Sequence, residues 1–182
     1  AELNSEKVGN AELTPGLTDY RKRVQYQVFD VAEMLNQGEN FLEVALSDGW
    51  YRGYLGALST PNVFGIRTKM ICQLEIEYED NSLQTIYSDD SFAWSNDGAI
   101  RYADLKNGEI VEAGRKPSYS GHARIAEHTV QPGASNNVSI QQHERFSPTL
   151  LISPTGSKIL DFGQNIAGFI EFRLKGQKQQ KI

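Results

Sequence analysis

This chain of 182 residues has little of what would place it in a special class of protein. Its single cysteine cannot form an internal disulfide, which excludes a disulfide framework. No apolar run approaches the ~18 residues of a membrane helix, and 16 glycines with 6 prolines are too few for a collagen-like or disordered chain. Because the net charge is −5 and no basic run occurs, we expect neither nucleic acid nor an anionic membrane as a partner.

Motifs for catalysis and for metal binding are also missing from the sequence. His122, His128 and His143 have no second histidine or cysteine at the spacing of a metal site. No phosphate loop, dinucleotide fingerprint or nucleophile elbow occurs, and no run resembles a calcium loop. The adjacent carboxylates at 79–80 and 89–90 are typical of solvated turns rather than of a positioned acid and base. We therefore expect no catalytic residue, no metal and no cofactor in this chain.

The sequence has a dominant period of two. In residues 72–79 apolar and polar side chains alternate, which predicts a half-buried strand. Turn residues follow, and residues 83–87 complete a predicted hairpin. Further strands are predicted at 24–29, 41–46 and 169–174. Short strands separated by turns predict an all-β fold, namely an antiparallel β-sandwich.

One short helix is predicted within residues 30–38. Asp30 can accept hydrogen bonds from the first free amides, and Glu33 can reach back to the Asp30 amide in a capping box. Gly38 can adopt the left-handed conformation at the end of the helix.

Loop signals divide the chain into two parts. Residues 117–121 form a first loop, and the polar segment 129–149 is the best candidate linker. We expect residues 1–128 to form the main sandwich, and 129–182 to form a linker and the incomplete start of a second one. We expect the chain to be a fragment excised from a longer parent protein. The location of the parent protein is left open, with the cytoplasm slightly favoured.

The run Asp48-Gly49-Trp50-Tyr51-Arg52-Gly53 follows one of the predicted strands. Aromatic rings stack on the C–H faces of sugars, and Asp or Arg side chains bind their hydroxyls, so Asp48, Trp50, Tyr51 and Arg52 are candidates for a saccharide site. The alternative is that Trp50 and Tyr51 pack against the core or a neighbouring domain while Arg52 pairs with Asp48.

Several motifs, in order, resemble the N-terminal β-sandwich of bacterial α-L-rhamnosidases. They are Thr14-Pro15-Gly16-Leu17-Thr18-Asp19-Tyr20, Arg23, Tyr26, Asp30-Val31, Gly38-Glu39-Asn40, the 48–53 run, and the segments 98–104 and 107–109. The part from Asp30 to the following strand also resembles the galactose-binding-like jelly rolls of other glycoside hydrolases. Residues 160–168 resemble the D-F-G-Q-N-x-A-G signature that opens the next sandwich of the same enzymes. The chain departs from the family at Leu17, where Trp is common, and at 110–115.

The resemblance implies a non-catalytic fragment of an enzyme that hydrolyses terminal α-L-rhamnose from glycosides with inversion. The acid and base of that family lie in an (α/α)6 barrel, so the implied partners are a downstream catalytic barrel of the same chain and rhamnose-containing glycosides. Carbohydrate contacts are also considered at Asp19, Tyr20, Gln164 and Asn165. Local turn hydrogen bonds are the alternative role for these four residues.

Three functions are compatible with this sequence. The first is a fragment that supports the fold of the rhamnosidase and shapes the approach of substrate, the second is an independent carbohydrate-binding module, and the third is a sandwich that only packs against other domains. Saccharide binding by the isolated chain would separate the second function from the third.

Overall fold

The computed structural model of the chain describes residues 1–136, 138–173 and 175–176. Its regular elements are fifteen strands, one four-residue α-helix and one 3-10 turn in the described ranges. The strands are β1 (Glu2–Leu3), β2 (Glu6–Lys7), β3 (Ala11–Glu12), β4 (Gln25–Tyr26), β5 (Leu42–Glu43), β6 (Gln73–Glu77), β7 (Leu83–Tyr87), β8 (Ala93–Trp94), β9 (Ile100–Asp104), β10 (Gly108–Val111), β11 (Gly121–His122), β12 (Gly133–Ala134), β13 (Ile140–Gln141), β14 (Thr149–Ile152) and β15 (Lys158–Asp161). The all-β class expected from the period of two is therefore confirmed.

The chain divides into two compact units, Ala1–Gln141 and Gln142–Ile182. In the first unit β1 lies between β2 and β5 in an antiparallel sheet, and five further strand pairs are β6–β7, β9–β10, β8–β11, β3–β13 and β4–β12. The last of these pairs is parallel, whereas the others are antiparallel. The described part of the second unit contains the antiparallel hairpin β14–β15.

The hairpin β6–β7 follows the alternation in the sequence. Leu74 pairs with Ile86, and the next apolar residue on that face is Ile76. The side chains of Leu74 and Ile76 are half-buried, while Glu75 and Glu77 are exposed. The two predicted strands are therefore confirmed, because a half-buried strand must alternate apolar and polar residues.

Other predicted strands are shorter than expected or missing. The strand expected at 24–29 is reduced to β4, and the strand expected at 41–46 is reduced to β5. The strand predicted at 169–174 was wrong for residues 169–173, which form no strand, and Leu174 lies outside the described residues. Glu171 instead pairs with Arg145, with 2.8 Å between the Arg145 Nη1 and Glu171 Oε2 atoms. Alternation predicts a strand, but a partner strand is needed to form one.

The helix predicted within 30–38 is a single 3-10 turn, Ala32–Met34. Asp30 does accept a hydrogen bond from the Ala32 amide at 3.0 Å, whereas the capping box with Glu33 does not form. Asn40 binds both the amide and the carbonyl of Asn36, at 2.8 Å and 2.9 Å. This side chain occupies backbone groups that a longer helix would have used, which explains the early end.

The segment expected to be a linker contributes two strands to the first unit. Gly133 and Ala134 pair with Gln25 and Tyr26, and Ile140 and Gln141 pair with Glu12 and Ala11. Both of these strands lie within the compact unit Ala1–Gln141.

Few side chains are buried in the described part of the chain. The buried residues are Leu3, Tyr20, Gln25, Gly53 and Asp104. Three of them belong to the region around the 48–53 run, which makes that region the best candidate for a site. No helix in the described residues is long and apolar enough to cross a bilayer.

Candidate functional site

The run 48–53 forms a helical turn, α1 (Gly49–Arg52), rather than the end of a strand. Gly49 has a φ of +47°, which a glycine adopts without strain. The Arg52 amide donates to the Asp48 carbonyl at 2.9 Å, and the Arg52 Nε atom lies 3.3 Å from Asp48 Oδ1. The Arg52–Asp48 ion pair considered from the sequence therefore forms across one helical turn.

Tyr51 of α1 forms an aromatic cluster with Tyr20 and Phe64. The ring centroids of Tyr20 lie 5.6 Å from Tyr51 and 5.0 Å from Phe64, both edge-to-face. Tyr51 and Phe64 stack with 6.4 Å between their centroids. Tyr20 is 9% exposed and its hydroxyl donates to the Gly16 carbonyl, so the ring at the centre of the cluster is both packed and hydrogen-bonded.

The segment that follows α1 lies against it through the backbone. The Asn62 amide donates to the Arg52 carbonyl at 2.8 Å, which brings Phe64 to the aromatic cluster. A Cβ atom on Gly65 would overlap the Tyr51 hydroxyl. Because Gly65 has no side chain, the Tyr51 side chain can occupy this space.

Asp104 is a buried carboxylate that ties α1 to the turn between β9 and β10. Its Oδ2 accepts the Tyr54 amide at 2.9 Å, and its Oδ1 accepts the amides of Lys106 and Asn107, both at 2.8 Å. A Cβ atom on Gly53 would overlap Asp104 Oδ2. The carboxylate and the glycine therefore fit together at the end of α1.

The pKa of the Asp104 carboxyl is lowered from its ordinary value. Burial by itself raises this pKa, but hydrogen bonds from the amides of Tyr54, Asn107 and Lys106, together with the Lys106 ammonium, outweigh burial. Lys106 Nζ also donates to the Gly56 carbonyl at 2.5 Å and to the Ser59 hydroxyl at 2.8 Å. The turn between β9 and β10 is thus bonded to the segment after α1 through both Asp104 and Lys106.

Asp19 is paired with its neighbour Arg21 on the surface. Its Oδ1 accepts Arg21 Nε at 2.8 Å, and the Arg21 guanidinium lies 5.6 Å from the Phe64 ring centroid. The hydrogen bond from Arg21 lowers the pKa of the Asp19 carboxyl. This arrangement matches the local-turn alternative for Asp19.

The candidate residues of the sequence divide between the two units. Asp19, Tyr20, Asp48, Trp50, Tyr51 and Arg52 lie in the first unit, and Trp50 is half-buried. Gln164 and Asn165 lie in the second unit and are exposed. They follow a tight turn in which Asp161 Oδ1 accepts the Gly163 amide at 2.8 Å. A saccharide role for any of the eight stays a prediction.

Sequence reasoning missed four residues of this region, which are Phe64, Gly65, Asp104 and Lys106. Asp104 had a usable signal, because Asp followed three residues later by Asn107-Gly108 is typical of a turn in which the carboxylate binds backbone amides. Phe64 and Gly65 had no such signal, since their role depends on the aromatic contact with Tyr51.

Residues 1–147 match the family described as the α-L-rhamnosidase N-terminal domain. The chain belongs to that family. An α-L-rhamnosidase from Streptomyces avermitilis is 34% identical over 97% of this chain and 18% of its own length. One from an Alteromonas species is 24% identical over 99% of this chain and 21% of its own length.

The crystal structure of an α-L-rhamnosidase from Aspergillus terreus has the same fold, with a TM-score of 0.80 and 25% identity. The likeness covers 91% of this chain and 20% of that protein, and it confirms the expected β-sandwich class. The chain spans 12% to 21% of the length of the curated rhamnosidases it matches. It therefore corresponds to the N-terminal domain of these enzymes.

Acid should destabilise this rhamnosidase domain partly through Asp104. A carboxyl whose pKa is lower in the folded state stabilises the fold above its unfolded pKa, and that stabilisation is lost as the pH falls through the folded pKa. The unfolding free energy should therefore fall as the pH drops below about 4. In Asp104→Asn, chemical denaturation across this range should show a shallower fall, and an unchanged slope would contradict the role of Asp104.

Truncation of Trp50 to Ala should cost less stability than truncation of a buried ring, because Trp50 is only half-buried. Scanning calorimetry of Trp50→Ala beside Tyr20→Ala measures the difference. Equal losses for the two variants would place the Trp50 ring in the core instead.

Proposed function

We propose that this domain is a non-catalytic N-terminal part of an α-L-rhamnosidase, an enzyme that releases terminal α-L-rhamnose from glycosides with inversion. In this proposal the acid and base lie in a catalytic barrel further along the same polypeptide. The domain supports the fold and helps to shape the approach of the rhamnoside. The first unit is a galactose-binding-like jelly roll, and residues 142–182 begin a second sandwich.

The state of the carboxylates around α1 carries this proposal. Asp48 is paired with Arg52, Asp19 with Arg21, and Asp104 with three backbone amides. A glycosidase acid needs a carboxyl whose pKa is raised towards the working pH, whereas the pKa values of Asp19 and Asp104 are lowered. These carboxylates have structural roles that compete with acid–base work.

We expect no hydrolysis of 4-nitrophenyl α-L-rhamnopyranoside by the purified chain above the uncatalysed rate. Release of 4-nitrophenol is followed over a range of pH, with an intact α-L-rhamnosidase as the positive control. Turnover that disappears in Asp19→Asn or Asp48→Asn would overturn the proposal, because such an effect requires an active site within this chain.

A carbohydrate-binding module is the second candidate function, and the half-buried Trp50 within α1 favours it. In that case L-rhamnose should bind the isolated chain, and Trp50→Ala should abolish binding with little loss of stability. Absence of binding in both proteins would leave a domain that only packs against its neighbours.

A further inference from the structure

The turn between β9 and β10 contains Asn107-Gly108, the one Asn-Gly pair in the sequence. Asn107 is the last residue of the turn, Gly108 is the first residue of β10, and both are exposed. The pair serves the fold, because Gly108 has a φ of +82°, which glycine adopts easily at the end of a hairpin turn. It also has a chemistry of its own, since asparagine is a thermolabile residue and glycine leaves the following backbone nitrogen accessible.

Asparagine can react with the backbone nitrogen of the next residue. Attack of the Gly108 nitrogen on the Asn107 Cγ atom forms a C–N bond and breaks the bond from Cγ to Nδ2. The Gly108 amide proton is lost to solvent, the leaving nitrogen takes up a proton, and ammonia departs from a cyclic imide. Water then adds to either carbonyl of the imide and reopens it, which leaves aspartate or isoaspartate at 107. The reaction consumes only water.

The Asn107 side chain is held less firmly than that of Asn4. Its Nδ2 atom lies 3.5 Å from the Tyr102 hydroxyl, which is long for a hydrogen bond. Asn4 Nδ2, by contrast, donates to the Met34 carbonyl and to Asn40 Oδ1, both at 2.8 Å. The exposed Asn107 side chain can therefore rotate to bring its Cγ atom to the Gly108 nitrogen.

The turn of the β6–β7 hairpin provides an internal comparison. Asn81 is also exposed in a turn, but Ser82 follows it, and the Ser82 amide donates to Asp80 Oδ1 at 2.9 Å. The side chain of Ser82 crowds the nitrogen, and the carboxylate occupies its proton. Apart from chain neighbours, no atom of the described residues would lie within 4 Å of a Cβ atom added at Gly108. Gly108 also lies at the turn end of the β9–β10 ladder, where we expect local opening to cost little.

We propose that Asn107 is a site of spontaneous deamidation, and that its product weakens the connection between the β9–β10 turn and the segment after α1. The Asn107 amide donates to Asp104 Oδ1 at 2.8 Å, so a change in the backbone at 107 acts directly on this carboxylate. Isoaspartate adds a methylene group to the main chain, and aspartate adds a negative charge to the turn that contains Asp104. Because Asp104 also accepts the Tyr54 amide, the effect reaches the end of α1.

The test incubates the purified chain at mildly alkaline pH, where the Gly108 nitrogen loses its proton more readily. The incubation lasts until a synthetic peptide of residues 104–111 is fully converted. Liquid chromatography and mass spectrometry of proteolytic peptides then separate the aspartyl and isoaspartyl products from the unreacted asparagine. We expect both products at 107, with isoaspartate in excess, while Asn81 keeps its amide. Asn107→Gln is the matched control and should give no product, because its longer side chain closes the ring far more slowly.

Hydrogen exchange of the incubated chain tests the structural consequence. The Tyr54 amide should exchange faster after incubation than before, and incubation of Asn107→Gln should leave its exchange unchanged. An unreacted Asn107 in the chain, or conversion of Asn81 as fast as that of Asn107, would overturn the assignment of the site. Conversion of Asn107 with unchanged exchange at Tyr54 would overturn the proposed effect on α1. None of these results depends on the function proposed above.

Discussion

Tyr20→Ala is expected to lower the unfolding free energy of the chain by about 3–5 kcal/mol, the range for truncating a large buried aromatic ring. Tyr20 is 9% exposed and contacts both Tyr51 and Phe64 edge-to-face. Its removal leaves a cavity at the centre of the aromatic cluster and breaks the hydroxyl bond to the Gly16 carbonyl. Urea denaturation followed by fluorescence measures the change.

Tyr20→Phe is the matched control, because it keeps the ring and removes only the hydroxyl. It should cost about 1 kcal/mol, the usual net value of one hydrogen bond. A loss in Tyr20→Ala no larger than in Tyr20→Phe would show that the ring contacts contribute little to stability.

Asp104→Ala is expected to cost about 3 kcal/mol, because three backbone amides lose their acceptor at a site that is 6% exposed. The β9–β10 turn should become more mobile, and so should the C-terminal end of α1, which lies just before Tyr54. Hydrogen exchange should then become faster at the amides of Tyr54, Lys106 and Asn107.

Asp89→Ala is the control for a carboxylate with a local role, because Asp89 Oδ1 accepts the amide and the hydroxyl of Ser91 in an exposed turn. It should leave exchange at Tyr54 unchanged. If Asp104→Ala also left exchange at Tyr54 unchanged, the carboxylate would not hold the end of α1.

The sequence predicted best where one local pattern determines the structure. The hairpin β6–β7 was found because Leu74 and Ile76 alternate with glutamates on a strand with one half-buried face. Residues 169–173 have the same alternation and form no strand, because alternation does not specify a partner. Conversely, β12 was expected to be linker, because Gly133 and Ala134 carry no apolar pattern and are strands only through pairing with β4.

The candidate site shows the same limit. The run from Asp48 to Gly53 was selected as a candidate saccharide site, with packing as the alternative, and in the structure Arg52 pairs with Asp48 while Tyr51 packs in the aromatic cluster. Its helical turn was not predicted, since Trp and Tyr between two glycines favour no helix. Contacts between residues distant in sequence, such as Tyr51 with Phe64 and Tyr54 with Asp104, required the structure.

A ¹³C NMR titration of the aspartate carboxyl groups measures most directly whether the carboxylates of the first unit are structural rather than catalytic. Hydrogen bonding from Arg21 and from three backbone amides should bring the pKa values of Asp19 and Asp104 below the ordinary aspartate value of about 3.9. Titration of either carboxyl between about pH 5 and 7, where glycosidases tune their general acid, would contradict a non-catalytic domain.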